Sequence, residues 1–360
     1  MTPPLLQTTA PSSSPSSSSS SAACNRLASL SLADNGNGND DDNNNNINDN
    51  KETTTTTSSA ASTNTTTNTT CNTTNNTNTN IIHDKTISPT KFRKLLRTNQ
   101  YTGPTNGICP NYLQCNLVIL PQKDAYDFLL FCQRNEKACP LIEVCDVGCS
   151  LPKYCCFNNS NSKDKKCDND NDDDDDDSEP IADLKTDLPM YRIYQNGKLI
   201  KEVPDCTPYY PHDGVAFLIG CSFTCDEALL QSGIHLRSIS QQSNVPMYNT
   251  NIRCNTAGKF TGNMVVSMKP IYCTDVVKEV MITTQYPKAH GSPVCIGCSE
   301  SIGIVDLDKP DYGDRVEVME GEVPVFHACG VTALNVLVQS GVEFAITHSP
   351  GCMFITDLKG

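Results

Sequence analysis

The sequence predicts a mixed α/β fold, arranged in one or two lobes behind a disordered N-terminal tail. Short apolar runs such as Val215–Ser222 and Val323–His327 have the length and composition of buried strands. Each run is followed by small turn residues and then by a segment with helical features. This alternation of strand, turn and helix predicts α/β architecture with some parallel strand pairs among mixed connections.

Two stretches are too polar to belong to the folded part. Residues 1–84 consist mostly of Ser, Thr, Asn, Asp and Pro, a low-complexity composition that buries too little apolar surface to offset its ordering entropy. A second polar stretch, at about 150–180, is rich in Cys and Asp and contains the acidic run Asp172–Asp177. We therefore predict one folded domain at 85–360 with a disordered insertion at about 150–180.

The domain is predicted to open with alternating helices and strands. In order, these are a helix that begins at Ser88-Pro89, a strand at Cys115–Leu120, a helix at Asp124–Arg134 and a strand at Cys139–Val144. Proline suits the first helical position, and Pro121 ends the first strand. The second helix is predicted to bury Phe128, Leu129 and Cys132 on one face.

A hairpin and a buried strand follow the insertion. Tyr191–Tyr194 alternates as a strand would, and Asn196-Gly197 is the strongest hairpin signal in the chain. After the buried run Val215–Ser222, Thr224 and Glu227 are spaced as a capping box for a helix that ends near Gly233.

The remaining elements continue the same alternation. They are strands at Met264–Met268, Gly303–Leu307 and Val323–His327, a helix at Asp275–Gln285 and a helix capped by Thr332 that runs to Gln339. The last stretch, Phe344–Asp357, has two apolar strands around a turn that holds His348 and Cys352. The sequence contains no internal repeat of fixed period.

Composition excludes several classes of protein. The net charge of −14 lies largely in the tail and the acidic run, and no basic surface for nucleic acid is apparent. No apolar window approaches the ~18 residues of a membrane span. The chain has 20 cysteines but no secretory signal, so we expect them to be mainly reduced. The mitochondrial matrix and the cytoplasm both remain open as locations.

No cofactor or metal is predicted. The chain lacks a phosphate-binding G-x-x-x-x-G-K-[ST] loop, and no G-x-G-x-x-G follows a strand. Cys295 and Cys298 form one C-x-x-C pair, but a structural zinc ion needs two further ligands.

Histidines and cysteines at predicted strand ends are the candidates for chemistry. His290 and His348 lie beside small turn residues, where an imidazole can exchange a proton near pH 7. The alternative, which the residues alone favour, is a structural role for each histidine. Cys221 and Cys329 lie between a buried strand and a helix N-terminus, which favours a thiolate. The alternative, which we favour, is that both cysteines are small residues filling tight turns.

Many stretches together carry a resemblance to a known family. They are, in order, Tyr101–Thr105, Asn116–Pro121, Phe128–Asn135, Thr186–Pro189, Phe217–Phe223, Asn244–Tyr248, Val265–Ile271, His290–Val294, Ala328–Thr332, Thr347–Gly351 and Met353–Asp357. Across nearly all of the predicted domain, the chain resembles the hydro-lyase family that includes D-glutamate cyclase. The chain departs from the family pattern at Cys295 and Cys352, where histidine is usual, and at His327, where tryptophan is common.

The resemblance implies an enzyme that converts D-glutamate to 5-oxo-D-proline with loss of water. The implied partner is a small amino acid or dicarboxylic acid, with no nucleic acid and no membrane, and a homo-oligomer remains open. Two alternatives are a non-catalytic family member that binds small acids or protein partners, and a hydro-lyase acting on another amino or hydroxy acid.

On this basis we expect His348, His290 and Asp357 to be acid–base and orienting groups. The substrate's carboxylates are expected to bind at two predicted helix N-termini and at an arginine. These candidates are Gly220, Cys221, Ser222, Cys329, Gly330, Arg134, Arg192 and Arg253.

Overall fold

The computed structural model describes residues 87–157, 181–241 and 243–360. The predicted tail at 1–84 and most of the predicted insertion lie outside these residues. Within them, the mixed α/β class is confirmed, with eleven strands in two sheets and six α-helices.

The strands and helices are numbered in chain order. The strands are β1 Tyr112–Pro121, β2 Leu141–Val144, β3 Tyr191–Gln195, β4 Lys198–Val203, β5 Gly214–Gly220, β6 Met247–Arg253, β7 Asn263–Tyr272, β8 Cys295–Ile296, β9 Glu322–Ala328, β10 Phe344–His348 and β11 Phe354–Lys359. The helices are α1 Pro89–Arg97, α2 Gln122–Arg134, α3 Phe223–Gln231, α4 Arg237–Ser240, α5 Val276–Thr283 and α6 Val331–Gln339.

The two sheets contain only antiparallel pairs among the described residues. The larger sheet has the order β2-β5-β1-β10-β3-β4, with β11 also paired to β1, and the smaller has the order β6-β7-β9-β8. The predicted parallel pairs are therefore wrong. The reason is that α3 and α6 do not return the chain to a parallel neighbour, since the next strand joins the other sheet.

Most predicted elements are present, with local corrections. The Asn196-Gly197 hairpin is confirmed, because both residues have positive φ (49° and 70°) and the loop joins β3 to β4. Gly303–Leu307 is not a strand, since a 3₁₀ turn at Ser299–Ile302 precedes an irregular stretch. Leu129 is exposed rather than buried, and Phe131 takes its place on the inner face of α2.

The capping roles predicted for two threonines are also wrong. Thr224 lies inside α3, and its Oγ1 accepts a hydrogen bond from the backbone N–H of Gln114 in β1. Thr332 lies inside α6, and its Oγ1 accepts one from the backbone N–H of Val265 in β7. Each threonine therefore ties its helix to the strand beside it.

The same arrangement of elements occurs twice. A ten-residue strand (β1 or β7) pairs with a seven-residue strand (β5 or β9), which leads into a nine-residue helix (α3 or α6). The short strands β2 and β8 occupy matching edges, and the orders β2-β5-β1-β10 and β8-β9-β7-β6 correspond. The chain therefore contains a structural duplication that no fixed sequence period reveals.

The two repeated units exchange strands. After α3 the chain enters β6, which pairs with β7 of the second unit, and after α6 it enters β10, which pairs with β1 of the first. Helix α6 also packs on the larger sheet, because the apolar cluster on one face of that sheet includes Phe217 of β5 and Leu337 of α6.

Candidate active site

β10 and β11 form one interrupted strand along β1. Val118 pairs with Thr347 in β10, and Cys115 pairs with Phe354 in β11, both antiparallel. Residues 349–353 leave the sheet between these pairs and then return to it. At the gap, Nδ1 of His348 lies 3.2 Å from the backbone nitrogen of Leu117 and 3.3 Å from its oxygen. The imidazole thus occupies the place of the missing strand partner.

His348 is a neutral imidazole in the folded protein. Burial, together with a smaller effect of the nearby Arg192 charge, lowers the pKa of His348 to about 4. At Nδ1 a neutral ring either accepts the Leu117 N–H or donates to the Leu117 oxygen, and both contacts tie His348 to β1. His348 therefore has a structural role in the sheet, whatever chemistry it performs.

Glu202 of β4 links Arg192 of β3 to the interrupted strand. Arg192 Nε donates to Oε1 of Glu202 at 2.7 Å, and Ser349 Oγ donates to the same oxygen at 3.0 Å. The hydrogen bond from Arg192 lowers the pKa of Glu202. Because the Arg192 guanidinium already donates to Glu202, a substrate carboxylate bound there would have to share the guanidinium with Glu202.

The two strand-to-helix junctions have matching hydrogen bonds. The backbone N–H of Cys221 donates to Gln114 in β1, and that of Cys329 donates to Val265 in β7. Burial raises the pKa of Cys329 to about 11 and raises the pKa of Cys221 as well. Both side chains are therefore neutral thiols near pH 7, which supports the packing role over a thiolate nucleophile.

Asn116 lies between the two junctions. Its Nδ2 donates to the carbonyl oxygens of Ile219 (3.2 Å) and Gly220 (3.0 Å). A Cβ atom at Gly330 would lie 2.7 Å from Oδ1 of Asn116 and closer still to Nδ2. The close approach of the Asn116 amide therefore requires glycine at position 330. Asn116 was not among the predicted site residues.

A cleft of about 490 Å³ lies on the other side of Gly220. A Cβ atom at Gly220 would lie 2.9 Å from the carbonyl carbon of Lys288, so the β5 end packs directly against the cleft wall. The α2–β2 and α5–β8 loops, which correspond in the duplication, form the cleft. Its lining residues are Glu136, Lys137, Pro140, Thr284, Pro287, Lys288, His290, Gly291 and Ser292.

His290 presents a neutral imidazole to this cleft. Its Nδ1 lies 2.9 Å from the carbonyl oxygen of Lys137, which can only accept, so Nδ1 carries the proton. Burial lowers the pKa of His290 to about 4. The remaining nitrogen, Nε2, therefore has a free lone pair and can accept a proton or a hydrogen bond.

Two lysines supply positive charge at the cleft. Lys137 Nζ donates to the carbonyl oxygens of Ser292 (2.6 Å) and His290 (3.2 Å), and burial lowers the pKa of Lys137. Lys288 Nζ donates to the carbonyl oxygen of Leu141 at 2.9 Å near the surface. The cleft thus combines two amines with a neutral base, a set suited to a carboxylic acid that also carries an amine.

Comparison of the sequence with known proteins identifies the family. The family model for D-glutamate cyclase matches residues 215–357. A relative named "Putative hydro-lyase" from Natranaerobius thermophilus is 49% identical over 270 residues, covering 75% of this chain and 95% of its own length. A relative of the same name from Stutzerimonas stutzeri is 46% identical over 280 residues, covering 78% and 97%. This chain belongs to the hydro-lyase family that includes D-glutamate cyclase.

A further hydro-lyase relative, from a Thermoanaerobacter species, is 50% identical over 278 residues and covers 77% of this chain and 96% of its own length. Among solved structures, a nitrogen repressor-like protein from Methanococcus jannaschii aligns with 72% of this chain at 8% identity and a TM-score of 0.30. A likeness that low indicates neither fold nor function.

This family member carries buried ion pairs that the sequence did not predict, and two of them involve strands of the smaller sheet. Lys269 Nζ lies 2.5 Å from Oδ1 of Asp226, and His327 Nε2 lies 2.6 Å from Oε1 of Glu279. Burial alone lowers the pKa of Lys269, but the Asp226 carboxylate outweighs it and the pKa is raised. The available sequence signal was a charged or polar residue within an apolar strand, as at Lys269 in β7.

Three of the predicted site residues have other contacts. Asp357 forms an ion pair with the fully buried Arg93 of α1 at 3.0 Å. Arg134 donates to the carbonyl oxygen of Thr256 at the surface, and Arg253 is exposed at the end of β6. The structure therefore places His290 beside Gly220 and places His348 beside the Asn116–Leu117 segment, while these three residues lie in neither group.

Cys295 and Cys352, which the resemblance marked as departures, differ in setting. Burial raises the pKa of Cys352 to about 12, so it is a neutral thiol at the interrupted strand. Cys295 is partly exposed, and its Sγ lies 3.2 Å from the carbonyl oxygen of Cys298. Within residues 87–157, 181–241 and 243–360, no group of three or more His, Cys, Asp or Glu side chains is arranged to hold a metal ion. None of the helices in this part of the chain is long and apolar enough to cross a membrane.

Proposed function

We propose that this family member is a carbon–oxygen hydro-lyase that converts D-glutamate to 5-oxo-D-proline with loss of water. The observation that carries the proposal is the cleft, whose lining includes the neutral imidazole of His290 and two lysines. Its volume of about 490 Å³ is ample for a five-carbon amino acid.

Ring closure makes three demands on the site. The α-amine must lose a proton before it attacks, so a base is required. The γ-carboxyl group must become electrophilic through cations or hydrogen-bond donors at its oxygens. The substrate must also be held folded, with the amine close to the γ-carbon, which supplies much of the rate acceleration.

The cleft offers a group for each demand. The Lys137 and Lys288 ammonium groups attract the two carboxylates, and the Ser292 hydroxyl is available as a donor. Nε2 of His290 takes one proton from the α-ammonium before attack and a second from the same nitrogen after the C–N bond forms, and it delivers both to the departing γ-carboxylate oxygen. The C–N bond forms, one C–O bond breaks, and water leaves. Substrate carboxylates beside His290 raise its proton affinity above that of the empty cleft.

The acid–base roles of His348 and Asp357 stay predictions within this scheme. His348 supports the Leu117 backbone and Asp357 neutralises Arg93, and neither contact lies at the cleft. Substrate binding at Arg192 and at the junction residues Cys221 and Cys329 also stays a prediction. Variants of His290 and His348 can therefore be compared directly.

The test is product formation by the purified full-length chain. With D-glutamate as substrate and mass-spectrometric detection of 5-oxoproline, we expect turnover by the wild type. We expect His290→Gln to lower kcat by roughly a hundredfold or more. The matched control is His235→Gln at an exposed histidine, which we expect to leave kcat within about twofold of the wild type. Absence of 5-oxoproline, or full activity of His290→Gln, would overturn the proposal.

Two alternatives have distinct outcomes in the same experiment. Cys295 and Cys352, which stand where the resembled family has histidines, favour a member that binds a small acid without turning it over. That function predicts binding of a dicarboxylic acid by calorimetry with no product. A hydro-lyase for another acid predicts water-loss products only from other members of a panel of L-glutamate and 2-hydroxy acids.

The cell compartment also stays a prediction. The mitochondrial matrix and the cytoplasm were both left open by the sequence, and the relatives described above come from bacteria. Imaging of the full-length chain fused to a fluorescent protein at its C-terminus distinguishes the two.

A further inference from the structure

A buried ionisable pair lies directly behind the cleft wall. His327 in β9 and Glu279 in α5 are 3% and 0% exposed, and their side chains are 2.6 Å apart. Removing two ionisable groups from water is costly unless they pair and form further hydrogen bonds. Glu279 Oε2 has no hydrogen-bond partner within the described part of the chain, so this pair is not optimised for stability alone.

The hydrogen bonds fix where the His327 protons lie. Nδ1 of His327 is 3.2 Å from the carbonyl oxygen of Gly291, which can only accept. Nδ1 therefore carries a proton and donates to Gly291. Nε2 then shares one more proton with Glu279, either as an imidazolium donating to a carboxylate or as a neutral ring accepting from a carboxylic acid. In both states the bond to Gly291 is kept.

Gly291 belongs to the turn that presents His290. Both residues have left-handed backbone conformations, with φ of 74° at His290 and 64° at Gly291. That conformation is unfavourable for a residue with a side chain, so the surroundings must hold it. The contacts that do so are the Gly291 N–H to the Tyr286 carbonyl (3.0 Å), His290 Nδ1 to Lys137, and the Gly291 carbonyl to His327.

The Lys269–Asp226 pair lies on the same side of the smaller sheet. Lys269 is two residues from Ser267, which pairs directly with His327 across β7 and β9. Its hydrogen bond runs to α3, whereas the bond from His327 runs to the cleft turn. Of these two buried pairs, only the His327–Glu279 pair therefore bonds to the backbone next to His290.

We propose that His327 and Glu279 are positioning residues that hold the 290–291 turn so that Nε2 of His290 faces the cleft. Glu279 orients the His327 ring, and His327 fixes the Gly291 carbonyl. The activity arm of the test rests on the function proposed above, whereas the spectroscopic arm does not.

Two variants separate positioning from folding. Glu279→Gln keeps both hydrogen bonds, because the amide N–H can donate to Nε2 of a neutral His327. The double variant His327→Phe with Glu279→Leu removes the bond to Gly291 and leaves no unpaired buried charge, so it should fold. The matched control is the double variant Arg237→Leu with Glu322→Leu, which removes another buried ion pair. Arg237 and Glu322 bond to each other and to the backbone of residues 317–319, and not to the cleft turn.

The direct readout is the tautomer of His290, followed by nitrogen NMR of labelled imidazoles. We expect a single tautomer protonated at Nδ1 in the wild type, in Glu279→Gln and in the Arg237 control. We expect a mixture of tautomers in the His327 double variant. A double variant that keeps the single Nδ1 tautomer would overturn the proposal, with or without measurable turnover.

The activity readout is the division between kcat and KM for D-glutamate. We expect the double variant to lose roughly tenfold to a hundredfold in kcat with KM changed less than about threefold, because misplacing a reacting group affects the chemical step. We expect Glu279→Gln to stay within about threefold of the wild type in kcat. Equal losses in Glu279→Gln and the double variant would contradict positioning. A wild type without turnover would refute the proposed function and leave the NMR result to decide this proposal.

Discussion

Gly220→Ala tests the contact that joins the strand junction to the cleft. The new methyl carbon would lie 2.9 Å from the carbonyl carbon of Lys288 and well inside van der Waals distance of its oxygen. These are backbone atoms of the 287–289 turn, which adjoins His290, so no side-chain rotation relieves the clash. Overpacking of this kind typically costs about 1–3 kcal/mol, and we expect the upper end.

For a domain of this size, a loss of about 3 kcal/mol lowers Tm by roughly 6–12 °C. The assay is thermal unfolding followed by circular dichroism, with kcat for D-glutamate measured well below the transition. We also expect kcat to fall, because the displaced turn carries His290. The control is Gly233→Ala, where a Cβ atom meets nothing within 4 Å and only the left-handed φ of 85° opposes it. If Gly220→Ala melts within 2 °C of wild type, the packing of β5 against the cleft wall is not as described.

Three further predictions follow from buried groups. Arg93→Met leaves Asp357 without its ion-pair partner and should lower the free energy of unfolding in urea by about 3–5 kcal/mol. If Asp357 is structural, we expect the folded fraction to keep its kcat. A selective loss of kcat at unchanged stability would restore the catalytic role of Asp357. Asn116→Ala removes the donor to Ile219 and Gly220 and should cost about 1–3 kcal/mol, whereas a loss below 0.5 kcal/mol would contradict its place between the junctions. The pKa values of His290 and His348 are lowered to about 4 from an ordinary 6.5, so the unfolded chain binds more protons below pH 6.5. Stability should therefore fall between pH 6.5 and 4 by up to about 1.4 kcal/mol per pH unit for each histidine, and a flat urea midpoint from pH 7 to 5 would show that these rings are not buried neutral.

Local chemistry predicted individual elements well. The Asn196-Gly197 turn fixed the β3–β4 hairpin because two residues with positive φ are needed there, and Pro89 and Pro121 stand next to element boundaries. The direction of strand pairing was beyond such signals. An apolar run of seven residues, such as β5, is equally compatible with a parallel or an antiparallel neighbour, and strand exchange between the repeated units decides the matter.

The duplication left one faint trace in the sequence. Both junctions read Cys-x-x-Thr, at Cys221–Thr224 and Cys329–Thr332, and the cysteine N–H and threonine Oγ1 make the same two bonds to a neighbouring strand. Two positions in four residues are too few to identify a repeat. The equivalence is carried by backbone geometry, which many sequences can adopt.

The site was predictable only in part. His290 stood out because it lies beside small turn residues at a predicted element end, and it is one of the residues that line the cleft. Lys137 was missed because a lysine after a helix is ordinary in sequence, and its bonds to His290 and Ser292 join residues about 150 positions apart. The His327–Glu279 pair was missed for the same reason, since nothing local links a strand end to a helix 48 residues earlier.

The central claim is that a proton carrier and two lysines in one cleft remove water from a bound amino acid. The most direct measurement uses D-glutamate with both γ-carboxyl oxygens replaced by oxygen-18, and mass spectrometry of the product. We predict 5-oxoproline that retains one heavy oxygen, with the other released as water, and loss of this product in His290→Gln. Unlabelled 5-oxoproline, or no 5-oxoproline from the wild type, would contradict it.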